Sequence, residues 1–230
     1  MSQFRDQVVL VTGATGGLGE IVTRLFLDAG AHVVGVALRW DDAPRSARVL
    51  PLELDLSVPE QCRRAASLTL ERHGRIHMLV HLVGGYSAGM TIAETSDEVW
   101  LGMLNANLIS TFNLCREVLP HMLRSGRGRI IAIGSKAGVD PLARMGAYHV
   151  SKSAAHALIR AIGRDCKGTG VTANAILPSI IDTPGNREAM PDADWDKWVS
   201  PTSIAQLIMF LASEAASEIN GALIPIYGET

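Results

Sequence analysis

At 230 residues, 47% of them hydrophobic and only 19% charged, the sequence has apolar content for a sizeable buried core, which excludes intrinsic disorder. Its formal charge of −2 leaves no basic footprint, so nucleic acid is not expected as a partner. The three cysteines, Cys62, Cys115 and Cys166, lie far apart in no metal-binding spacing and read as free thiols of a reducing compartment.

The chain opens as MSQFRDQVVLVTG, without a signal-peptide layout, and no apolar run reaches membrane-spanning length, so a soluble cytoplasmic protein is expected. Val8–Thr12 is a β-branched run that predicts a buried strand. A glycine-rich turn then leads into a helical stretch ending near Ala29-Gly30. His32–Leu38 and, after the polar turn Asp41–Ser46, Val49–Leu54 predict the next two strands. Ser57-Val58-Pro59-Glu60 has the form of a capping box with proline in the first turn, opening a helix that closes at His73-Gly74. Met78–Val83 predicts a fourth strand, ending in Gly84-Gly85. Ser96–Ser125 reads as one long helix, or two in line, capped by Ser96, stopped by Gly126 and open to bending at Pro120. Arg129–Ile133 predicts a fifth strand that delivers Ser135, and a helix over about Ala147–Lys167 follows. Val171–Leu177 predicts a sixth strand, Ser200-Pro201 caps a last helix running to Ser213, and Leu223–Ile226 is a short closing strand. Such alternation implies a doubly wound, mostly parallel seven-stranded sheet with helices on both faces, in one domain over residues 1–230. Residues 184–199 form an irregular stretch, too short for a second domain and placed to be a substrate lid.

Strand, glycine turn and helix together make a phosphate-binding unit, because glycines admit close backbone approach and a helix N-terminus offers free N–H groups. The spacing here is Thr12-Gly13-Ala14-Thr15-Gly16-Gly17-Leu18-Gly19. In a dinucleotide fold, an acidic residue ending the second strand would accept from the ribose 2′-OH. This strand ends Val36-Ala37-Leu38-Arg39 instead, with no carboxylate before Asp41. A guanidinium there matches a 2′-phosphate in charge and geometry, which favours NADP over NAD.

The stretch Ile133–Lys152 carries Ser135, Tyr148 and, four residues on, Lys152. Residues four apart share a helix face, so phenol and ammonium can occupy one pocket. A nearby cation favours the ionised phenol and gives an acid/base of useful strength near neutral pH.

With these stretches in order, the chain resembles the short-chain dehydrogenase/reductase family, in its compact one-domain subgroup, over essentially its whole length. Gly13, Thr15, Gly16, Gly17, Leu18 and Gly19 match the family's cofactor turn. Asp55, with Leu56 beside it, matches the acidic contact to the adenine. Asn107, Ser135 (thirteen residues before Tyr148), Tyr148 and Lys152 match the catalytic tetrad. Pro178, Ile181 and Thr183 resemble the stretch that closes over the nicotinamide. The resemblance implies hydride transfer between nicotinamide and a carbonyl or alcohol carbon. Tyr148 would be the general acid/base and Ser135 a donor to the substrate oxygen. Lys152 would lower the Tyr148 pKa and hold the ribose, and Asn107 would hold a water. It also implies a homodimer or homotetramer, through helices such as Ser96–Ser125 and Ala147–Lys167.

Two departures stand out. The family's Asn-Asn-Ala-Gly is His81-Leu82-Val83-Gly84 here, which keeps Gly84 and loses the bracing amides. His81 either supplies a substitute hydrogen bond or is a core histidine with one satisfied nitrogen, the more usual case. The Pro-Gly of the nicotinamide loop is Pro178-Ser179, which raises the question of a positive φ. A non-catalytic cofactor-binding sensor or scaffold is the alternative function, and the complete tetrad argues against it. The substrate pocket should draw on Gly85–Thr95, Val139–Met145 and Pro184–Val199. Met90, Met145, Met190, Trp195 and Trp198 either make that pocket apolar or, for the tryptophans, pack the lid on the body.

Overall fold

The computed structural model describes residues 3–41 and 46–230, so positions 42–45 of the predicted Asp41–Ser46 turn lie outside the described residues. Seven strands form one sheet: β1 (Val8–Thr12), β2 (His32–Ala37), β3 (Val49–Glu53), β4 (Met78–His81), β5 (Gly128–Ile133), β6 (Val171–Pro178) and β7 (Leu223–Ile226). Their order is β3-β2-β1-β4-β5-β6-β7, and every pairing is parallel rather than mostly so. Parallel strands need crossovers, and the helices that supply them cover both faces. On one face Val8 and Leu10 meet Cys62, Ala65, Leu114, Val118 and Ile159 in a buried cluster. On the other, Val9 and Val11 meet Val22, Phe26, Ile204 and Ile208. The two-residue alternation of a strand sorts these side chains. The free thiols of Cys62 and Cys115 lie within the first cluster, and burial pushes them up to about 11 and about 12, so neither is a thiolate at neutral pH.

The helices are α1 (Gly17–Asp28), α2 (Pro59–His73), α3 (Asp97–Leu104), α4 (Ser110–Ser125), α5 (Gly146–Asp165), α6 (Pro184–Ala189) and α7 (Pro201–Ala212). The long predicted helix is two in line. Ser96 Oγ accepts from Val99 N at its start, Gly126 ends it at φ 65°, and a π-turn at Asn105–Ile109 joins the halves. Three local readings need correction. The Ser57 capping box does not form, because Ser57 donates its hydroxyl to Asp55 Oδ1 at 2.7 Å and leaves Val58 as an uncapped N-cap. The 184–199 stretch is not wholly irregular, since Pro184 seeds α6 and Thr183 Oγ accepts from Asn186 N. The strand predicted to Val83 stops at His81, where Thr12 Oγ1 takes the Leu82 and Val83 N–H groups out of the ladder.

Chain order reverses between β1 and β4, and ligands of such sheets bind beyond the strand C-termini at that switch point.

Candidate active site

The first half of the site is made of backbone. Gly13 leaves β1 at φ 65°, a conformation that a side chain would strain. A Cβ on Gly19 would fall 2.0 Å from Gly13 O, so α1 can press on the turn only with glycine there. Gly16 is the N-cap of α1 and makes no side-chain cap, which leaves the first helical N–H groups and the positive dipole end facing outward. A Cβ on Gly17 would lie 3.2 Å from the Thr183 side chain, so the loop after β6 comes down onto the glycine turn. Thr15, Gly16 and Gly17 are exposed and Leu18 turns into the core. This cradle has the space and the donors that a pyrophosphate needs.

The adenosine end is more open. Arg39 and Asp55 are both exposed. Asp55 Oδ1 accepts from Ser57 N and Oγ, and Leu56 is buried, its carbonyl accepting from Cys62 Sγ at 3.2 Å. Trp40, which the sequence reading passed over, packs its indole where a Cβ on Gly35 would stand, 2.8 Å away. Its Nε1 donates to Leu52 O at 3.3 Å and its backbone N to Glu53 Oε1 at 2.8 Å, tying the end of β2 to β3.

The second half is made of buried side chains. The π-turn carries Asn107, 1% exposed, whose Oδ1 accepts from Gly85 N at 2.9 Å while Nδ2 donates to Gly85 O at 3.0 Å and Ser151 Oγ at 2.9 Å. Both amide hydrogens are committed, so this side chain grips the Gly84-Gly85 bend, and a water would have to use its remaining oxygen lone pairs. Lys152 donates from Nζ to Ile133 O at 3.0 Å. A Cβ on Gly84 would lie 2.7 Å from Asn107 Oδ1 and 3.1 Å from Lys152 Nζ, so Gly84, Asn107 and Lys152 meet at one point. Burial lowers the Lys152 ammonium to about 8.

Tyr148 stands one turn before Lys152 on α5, with the Tyr86 ring edge-on to it at 5.1 Å. Burial raises the phenol above its ordinary value; the Ser135 hydroxyl beside it offsets part of this, and Tyr86 adds to it. The expected lowering by Lys152 is not seen, because burial of the phenol itself is the largest influence on it. Ser135 Oγ accepts from Ala137 N at 3.1 Å, which leaves its hydroxyl hydrogen free to donate elsewhere.

The two departures resolve in different ways. Thr12 Oγ1 accepts from Leu82 N at 3.0 Å and Val83 N at 3.3 Å, so its hydrogen goes to His81 Nδ1, 3.0 Å away. His81 is thus a core histidine that braces β1 to β4. Its Nε2 carries the proton and has no partner among the described residues. Ser179 is not in the left-handed region, and it donates its hydroxyl to Tyr227 O at 2.6 Å, a tie that glycine could not make. Over the substrate side, Met90 and Met145 bridge the two rims. Trp198 is buried, in line with the packing alternative, whereas Trp195 donates to Met190 O within the 184–199 stretch itself. Four further α5 residues escaped the sequence reading: His149, Ser151, Ser153 and His156 all bond to the site's backbone or to Asn107. Only the three- and four-residue spacing of His149, Ser151 and His156 to Tyr148 or Lys152, and of Ser153 to His149 and His156, could have signalled them.

A glycine cradle at the switch point of a parallel sheet, facing a buried lysine one turn from a tyrosine, defines a dinucleotide-dependent oxidoreductase. The chain belongs to the short-chain dehydrogenase/reductase family: the short chain dehydrogenase family profile matches residues 7–194. It is 32% identical to the uncharacterised oxidoreductase YvrD of Bacillus subtilis, over 98% of this chain and 97% of that one. It is 31% identical to the 3-oxoacyl-[acyl-carrier-protein] reductase FabG of Pseudomonas aeruginosa, over 98% and 97%. Among solved structures, a short-chain type dehydrogenase/reductase from Mycobacterium ulcerans superposes with a TM-score of 0.91 at 27% identity, covering 99% of this chain and 90% of the other. The protein is an NAD(P)-dependent oxidoreductase acting on alcohol or carbonyl groups.

Proposed function

We propose that the protein is an NADP-preferring reductase of small or medium carbonyl compounds, working as one domain over residues 1–230 with 184–199 as its lid. The bound nicotinamide supplies the hydride, and the protein's part is to bind, orient and move one proton. Gly13 to Gly19 hold the pyrophosphate, Asp55 and the Leu56 backbone meet the adenine, and Arg39 meets the 2′-phosphate. Gly84, Pro178, Ile181 and Thr183 flank the nicotinamide, and Lys152 holds its ribose. Ser135 donates its free hydroxyl hydrogen to the substrate oxygen, a bond that strengthens as charge develops there. Tyr148 gives its proton to that oxygen on reduction and takes one back on oxidation. A raised phenol pKa suits this direction, since it keeps the acid protonated at neutral pH. Asn107 fixes the Gly84-Gly85 bend against which Lys152 packs.

The observation that carries this reading is the convergence of Asn107 Oδ1 and Lys152 Nζ on Gly84, with Tyr148 one turn away. A 3-oxoacyl thioester is the first substrate to try, because the Pseudomonas aeruginosa relative is named for one. Exposed Phe112, Leu123 and Val150 on α4 and α5 support a homodimer or homotetramer built on those helices, and the cytoplasm is its proposed location. Tyr148→Phe tests the chemistry: kcat should fall by about a hundredfold or more with NADPH affinity retained. Near-full turnover in a variant that still binds NADPH would exclude Tyr148 as the acid.

A further inference from the structure

Ser135 is held from behind by the same helix that presents Tyr148. Along α5, Lys152 Nζ donates to Ile133 O, His149 Nδ1 to Ala137 O and Ser153 Oγ to Gly138 O. The fourth tie has the opposite polarity: His156 Nε2 accepts the backbone N–H of Ser135 at 3.2 Å. His156 is 4% exposed and stands four residues after Lys152, on the face that carries Tyr148.

The imidazole occupies a slot cut for it. A Cβ on Gly134 would fall 2.3 Å from His156 Nε2, and one on Gly138 would fall 2.4 Å from its Cε1. Neither glycine lies in the left-handed region, so backbone geometry does not call for glycine at either place. The ring does.

We propose that His156 is a positioning residue for the reaction, which sets the direction of the Ser135 hydroxyl by accepting the Ser135 backbone N–H. The inference rests on the reading of Ser135 as the donor to the substrate oxygen. With Nε2 accepting, the neutral ring carries its proton on Nδ1. Ser135 is then fixed twice, its N–H by His156 and its Oγ by Ala137 N, and the hydroxyl hydrogen is confined to the two positions that the Ala137 bond leaves. Losing the acceptor leaves a buried N–H without a partner, and the strand end shifts to find one.

The test measures kcat, KM for a 3-oxoacyl thioester and NADPH affinity for four variants: His156→Leu, His156→Gln, Ser135→Ala and the double variant Ser135→Ala/His156→Leu. His156→Leu should lower kcat about tenfold or more with NADPH affinity kept within about twofold, since a displacement near 1 Å is enough. His156→Gln, whose amide oxygen can reach the ε position, should recover most of that loss. Because His156 acts through Ser135, the double variant should be no slower than Ser135→Ala alone. Multiplied losses, or a folded His156→Leu with kcat within about twofold of the parent, would overturn the proposal. If leucine is not tolerated, His156→Asn against His156→Gln decides it, since the shorter amide cannot reach Ser135 N–H; equal turnover in the two would sink it. Parent-like turnover in Ser135→Ala would instead remove the reading of Ser135 beneath it, so the two failures are distinct.

Discussion

The two halves of the site are prepared in opposite ways. The proposed cofactor half, from Gly13 to Gly19 and out to Arg39 and Asp55, is open at Thr15, Gly16 and Gly17 and at the Arg39 and Asp55 side chains. The catalytic half is largely buried, and Asn107, Lys152, Ser135 and His156 each have a protein partner. Binding energy from the first half can thus be spent without reorganising the second, which is the economy of a preorganised site. The contrast also says which half a given substitution should damage.

Glycine-to-alanine changes separate the halves most sharply. Gly19→Ala puts a methyl 2.0 Å from Gly13 O, backbone against backbone, and nothing there can yield cheaply. It should abolish measurable NADPH binding and cost about 1–3 kcal/mol of stability, read by calorimetric titration and thermal melting. Gly84→Ala meets the Asn107 and Lys152 side chains, so it should lower kcat by roughly ten- to a hundredfold while NADPH affinity changes much less. If both variants lose binding and turnover in the same proportion, the division into two halves is wrong.

Acid should act through three buried or half-buried imidazoles, two at the catalytic end of the sheet and His77 at the other end. His77 Nδ1 accepts from Val8 N at 2.9 Å, His81 Nδ1 from Thr12 Oγ1 and His156 Nε2 from Ser135 N. Each needs an unprotonated ring nitrogen, and burial holds the three at about 4, about 3 and about 4, with the Lys152 charge adding to the effect at His81 and His156. Their ordinary value is 6.5, so between 6.5 and about 4 the unfolded chain binds the extra protons. Stability is complete above 6.5 and declines as pH falls through that window, by up to about 1.4 kcal/mol per histidine per pH unit. A melting temperature that stays level from pH 7 to 4.5 would contradict this. His81→Asn, which restores an amide and removes one titrating ring, should make the decline shallower.

How much of this was readable in advance follows the same division. The glycine turn was legible because glycines at fixed spacing have few other reasons to exist, and the grouping of Tyr148 with Lys152 because residues four apart share a helix face. The seven strands were placed within a residue or two by their apolar runs, although the fourth was carried two residues too far. The Thr12 hydroxyl that ends β4 is remote in sequence, so no local pattern announces it. His156 was illegible for a related reason: its partner lies 21 residues away and its slot is made by two glycines on another element. The sequence reading also gave Lys152 its charge without weighing the cost of burying it. Nor did it weigh the burial of Tyr148 itself, which raises the phenol where a lowering was expected.

The smallest expected effect lies at the exposed edge of the cofactor half. Arg39 follows β2, whose end is held by Trp40 to Leu52 O and Glu53 Oε1, so the backbone beneath the guanidinium is fixed while its side chain stays in solvent. A charge-assisted contact to a 2′-phosphate is strong in isolation, yet solvent and salt screen it at such a position. Arg39→Ala should therefore lower kcat/KM for NADPH by only about tenfold, leave NADH unchanged, and do so less at high ionic strength. Salt dependence is the sharper readout, because removal of a packing contact would weaken both cofactors equally and ignore salt. A parent enzyme that prefers NADH would place Arg39 outside the site and leave Asp41 or Glu53 as the acidic partner of the ribose, turning the open edge of the cradle the other way.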